Sequence, residues 1–98
     1  MLDKLKIDLL KARKDKDELR TSVLSFLIAG VNNKEIELRG TAETFGDEHV
    51  EKVIRKQIKN HDQSIEAYTK ANRSELVERE TAEKKVLEEI LNAYFPQA

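Results

Sequence analysis

Val50 to Tyr68, VEKVIRKQIKNHDQSIEAY, decides the fold class. Val50, Ile54, Ile58, His61, Ile65 and Tyr68 follow one another in steps of four, four, three, four and three residues. That spacing keeps all six on one face of an α-helix, whereas a strand would send alternate residues to opposite sides. Gly46-Asp47 opens the helix, with Asp47 expected as N-cap and Glu48 near the positive end of the helix dipole. Ala71-Asn72-Arg73-Ser74 interrupts it, and Asn72 with Glu75 has the spacing of a capping box, so a further helix is expected from there. Leu76, Val77, Val86, Leu87, Ile90, Leu91 and Tyr94 line that last helix, and Pro96 ends it before Gln97 and Ala98.

Upstream, the most apolar piece carries Leu19, Val23, Leu24, Phe26, Leu27, Ile28, Val31, Ile36 and Leu38. Phe26, Leu27 and Ile28 are consecutive, so this helix is apolar on more than one side and is expected at the centre of the core. Asp17 is its expected N-cap, with Glu18 following. Before it, Leu2 to Lys14 reads as a helix with Leu2, Leu5, Leu9 and Ala12 along one face. Arg39 to Gly46 breaks the pattern with Gly40, Thr41, Thr44 and Gly46, all turn-type residues. The expected architecture is all-α: a small four-helix antiparallel bundle of helical hairpins, one domain over residues 1–98.

Composition agrees. Charged residues make up 38% of the 98, against one Pro and three Gly, a balance that favours surface-rich helices over turns. Cys is absent, which excludes disulfide scaffolds, thiolate metal sites and Cys nucleophiles. No apolar run approaches the roughly 20 residues of a membrane-spanning helix, and the start is too charged for a signal peptide. The expected setting is the cytoplasm, with no membrane role. Net charge is −1, so no global field draws the chain to nucleic acid. The acidity sits in residues 74–98, which hold three basic against six acidic side chains.

Catalytic patterns are scarce. His61 lies on the core face and reads as a buried, hydrogen-bonded side chain; His49, beside a helix start, reads as exposed. Ser22, Ser25, Ser64 and Ser74 have no glycine elbow or neighbouring base. Glu35/Glu37 and Glu88/Glu89 lack the spacing that aligns carboxylates on a helix face. Catalysis by this chain alone, metal ligation and a cofactor are therefore not expected.

The suggestive feature is a basic stripe, Lys52, Arg55, Lys56 and Lys59, opposite the apolar face of the 50–68 helix. Four cations there would meet phosphates with a salt-dependent affinity. Against this, Glu48–Lys52 and Glu51–Arg55 are i, i+4 pairs that would make the stripe an ordinary solvated face. A second basic group, Lys11, Arg13, Lys14, Lys16 and Arg20, surrounds the first turn. Aromatic platforms for stacking bases are few, so contact with nucleic acid would be to shape or backbone.

Three segments carry a family likeness: Arg20–Arg39 (RTSVLSFLIAGVNNKEIELR), Asp62–Leu76 (DQSIEAYTKANRSEL) and Glu80–Gln97 (ETAEKKVLEEILNAYFPQ). In order, they give Lys-Glu-Ile-Glu at a helix end, an Asp-x-Ser-Ile-Glu-x-Tyr run followed by Asn-Arg, and a Glu-rich helix closing in Tyr-Phe-Pro. The chain resembles the YqeY-like family, related to the tail region of the B subunit of glutamine-dependent tRNA amidotransferases. It departs from the family at Lys59-Asn60-His61, where members usually carry Lys-Gln-Arg. Members also continue into a second small helical domain. The resemblance thus implies that residues 1–98 are the N-terminal half, truncated or naturally short. It further implies association with carbon–nitrogen ligase systems that use glutamine as amido donor, in a non-catalytic role against tRNA or a partner protein. The alternative is a protein–protein interaction or dimerisation module with no nucleic-acid role, for which the apolar excess of the second helix and Tyr94-Phe95 are the expected surfaces.

Overall fold

The computed structural model describes residues 1–96; the final Gln97 and Ala98, reached by the last family segment, lie outside the described residues. Four helices follow one another: α1 (Leu2–Lys14), α2 (Glu18–Leu38), α3 (Asp47–Lys70) and α4 (Ser74–Tyr94). No strand occurs among the described residues. The all-α class and the expected helix order therefore hold. The chain divides into two compact units, Met1–Val53 and the segment from Ile54 onward, so the boundary falls within α3.

In the first unit α1 and α2 pack as an antiparallel hairpin. Leu5 and Ala12 are buried from α1, and Val23, Leu24, Leu27, Ile28 and Val31 from α2. Leu5, Leu24 and Leu27 are wholly enclosed, each contributing roughly 1.5–3 kcal/mol over an exposed position. The other side of α2 departs from expectation, because Phe26 is 67% exposed and Ile36 56%. An apolar surplus on a helix does not ensure burial on every side.

In the second unit α3 and α4 run antiparallel. His61 Nδ1 meets Glu80 Oε1 at 3.2 Å, and Lys84 Nζ meets Asp62 Oδ1 at 2.6 Å. Ile54, Val86, Leu87, Ile90 and Leu91 are buried there, and so is Gln57, a polar residue that an apolar pattern could not reveal. Tyr94 and Phe95, expected as an uncovered patch, are half-buried.

The two hairpin turns share one backbone solution. After α1, the Asp17 N–H donates to the Ala12 carbonyl and the Lys16 N–H to Arg13. After α3, the Arg73 N–H donates to the Tyr68 carbonyl and the Asn72 N–H to Thr69. These are Schellman closures, with Lys16 (φ 57°) and Asn72 (φ 55°) in the left-handed region. Asp17 also caps α2, its Oδ1 accepting from the Arg20 N–H at 3.0 Å. Asn72, by contrast, is not the cap of α4. Asn tolerates the left-handed conformation better than most residues, and here it fills that place while Arg73 takes the N-cap.

Candidate nucleic-acid interface

α3 is built to show two chemistries. Its apolar face turns Val50 and Ile54 fully inward, and the positions opposite are left to polar side chains. Lys52, Arg55, Lys56 and Lys59 are all exposed on it. Lys52 belongs to the first unit and the other three to the second. None of Lys52, Lys56 and Lys59 forms an ion pair with a described residue; Arg55 does have an interaction partner. The expected Glu48–Lys52 ion pair is not made.

Arg55 and Lys59 share a cleft of roughly 340 Å³ with Ile58, Asp62, Glu88, Leu91 and Asn92. Two carboxylates there oppose two cations, so the cleft itself does not select a phosphate. Lys84, hydrogen-bonded to Asp62, is held more basic than an ordinary lysine. The cations of the stripe thus offer themselves along the helix surface rather than inside a pocket. The second basic group lies on the first unit, where Lys11 and Arg20 line a cleft with Asp8, Asp15 and Asp17. Three carboxylates against two cations leave that cleft with no anion-binding character.

His49 lies where the sequence did not place it. It is 3% exposed, not solvent-facing. Nδ1 accepts the Gly46 N–H at 3.0 Å, which leaves the ring proton on Nε2 to be donated to the Glu43 carboxylate. Phe45 stacks on the ring, centroids 5.7 Å apart. The side chain three residues into α3 therefore satisfies the backbone donor just before the helix, the reciprocal half of a capping box with imidazole in place of Glu. The bond from His49 holds the Glu43 carboxyl below the usual carboxylate range. His61 matches its expected role more closely, being half-buried and bonded to Glu80. Among the described residues no three His, Asp or Glu side chains gather into a metal-holding group, and no helix is long and apolar enough to cross a membrane.

Residues 2–98 match the family model described as Yqey-like protein. Over 87 residues the chain is 38% identical to altered inheritance of mitochondria protein 41, mitochondrial, of Lachancea thermotolerans. That match covers 89% of this chain and 46% of the relative, so the chain spans about half the length of the curated relative it matches.

Proposed function

The chain belongs to the YqeY-like family, and from that membership we propose a non-catalytic helical domain of tRNA amidotransferase-type, glutamine-dependent carbon–nitrogen ligase systems that lies against tRNA backbone through α3. The observation that carries the contact is the set of three exposed lysines, Lys52, Lys56 and Lys59, without an ion-pair partner among the described residues. A lysine already bound to a carboxylate gives up that bond when it meets phosphate; these hold no such bond, Lys52 having only a longer-range attraction to Glu43. The rings on α3 are His49, buried, and His61 and Tyr68, half-buried, so the contact reads backbone and shape, not bases. Such a role needs a compartment that holds tRNA. The cytoplasm does, and so does the mitochondrion for which the Lachancea relative is named.

The test is a titration of the chain against bulk tRNA at two salt concentrations, with duplex DNA as control. The expected result is binding that prefers tRNA and weakens steeply with salt. Lys56→Glu with Lys59→Glu should abolish most of it while helicity is retained. Unchanged affinity and salt slope in that double variant would rule out this face, and absence of binding at low salt would overturn the tRNA role.

A further inference from the structure

The outward side of α2 has no part in the contact proposed for α3. Leu19, Ser22, Phe26, Ala29, Asn33 and Ile36 are all exposed, and they recur in alternating steps of three and four residues. The core face of the same helix uses Val23, Leu24, Leu27, Ile28 and Val31. In a chain whose residues are 38% charged, six consecutive positions of an exposed seam without one ionisable side chain need a reason. Three of them are large and apolar, with Leu19 38% exposed beside the more open Phe26 and Ile36.

The seam is also its own complement. Laid antiparallel on a second copy about a two-fold axis between Phe26 and Ala29, it sets Leu19 against Ile36, Ser22 against Asn33, and Phe26 against Ala29. Each layer then matches: apolar on apolar, hydroxyl on amide, large on small. No like charges meet across the seam, and on its flank Glu18 falls beside Arg39 of the second copy, an opposite charge. Alternating steps of three and four residues are the seam spacing of helices that pack at a shallow angle, and an isologous contact requires this self-matching. We propose that α2 is a homodimerisation surface whose occupant is α2 of a second copy, antiparallel and in this register. The inference stands whether or not α3 meets tRNA.

The chain has no cysteine, so introduced thiols would be the only ones present. Sedimentation equilibrium of the unmodified chain should show a monomer–dimer equilibrium. Phe26→Asp and, separately, Ala29→Glu should weaken it by roughly thirtyfold or more, the scale of one anchor at a packed contact. Ala29 is exposed, so circular dichroism of Ala29→Glu should be unchanged and its weakening reads the contact alone; Phe26 has an interaction partner within the chain, so Phe26→Asp is read beside it. Under mild oxidation an equimolar mixture of Ser22→Cys and Asn33→Cys chains should give a disulfide-linked dimer of one of each. Neither variant alone should cross-link, because the register places each such residue about 16 Å along the helix from its own copy. Monomer mass up to roughly millimolar chain, where even a weak contact is populated, would overturn the proposal. Self-cross-linking of either single variant, or a dimer indifferent to both charged substitutions, would overturn the register and the face.

Discussion

At the start of α3 a single imidazole does three things: it accepts the Gly46 N–H, donates to Glu43 and stacks on Phe45. Doubly protonated, it could no longer accept at Nδ1, so the cap depends on the neutral ring. His49→Ala should cost about 1–2 kcal/mol in denaturant unfolding, the scale of a lost cap with some lost burial. His49→Gln keeps an acceptor within reach and should recover part of the loss; equal losses for both would show that the cap contributes nothing. Glu43 gives a pH dependence with a definite sign. Its folded value lies below the ordinary 4.5, so its contribution is present above that value and is lost as pH falls through the depressed one. A Glu43→Gln variant should therefore melt below the unmodified chain at neutral pH and converge with it in acid. A position beside a helix start speaks for exposure; the contacts of His49 with Glu43, Phe45 and Gly46 leave no mark in a helical pattern. Gln57 escaped for the related reason that a polar residue leaves no mark in an apolar pattern.

The hairpin turns carry the argument at the scale of the element. A left-handed residue with a side chain costs roughly 1 kcal/mol or more, and Asn bears it better than Lys. Lys16→Gly should consequently stabilise the chain by about 0.5–1 kcal/mol, and Asn72→Gly by less, read as shifts in the denaturant midpoint at constant slope. A loss of stability in Lys16→Gly would mean that freedom gained by the unfolded chain outweighs the relieved strain. These turns also mark what was legible. The limits of α1 and the start of α2 stand where apolar spacing and Asp17 put them, since both signals are local. Asn72 was misread as a cap because cap and left-handed closure favour the same residue type, and only the chain's path separates them. The two sides of α2 were equally hidden: its sequence shows apolar groups all round, while burial of Leu27 and exposure of Phe26 depend on what packs against it.

For the molecule as a whole, a net charge of −1 means that attraction to an anionic partner has to be local. The exposure of the four α3 cations could be read from the face opposite Val50 and Ile54. Which of them keep carboxylate partners could not, because an i, i+4 spacing such as Glu48–Lys52 permits an ion pair without requiring one. This separates local from global electrostatics by experiment. Lys56→Gln with Lys59→Gln, on α3, and Lys4→Gln with Lys6→Gln, on α1, change the net charge by the same amount, and all four lysines are exposed. If tRNA lies along α3, the first pair should lower the slope of log affinity against log salt by about 1.5–2, near the value for two lost phosphate contacts. The second pair should leave the slope within error and change affinity by less than about threefold, since those two lysines make no phosphate contact in the proposed interface. Equal losses in the two variants would mean that tRNA responds to net charge alone and that α3 has no special place in the contact.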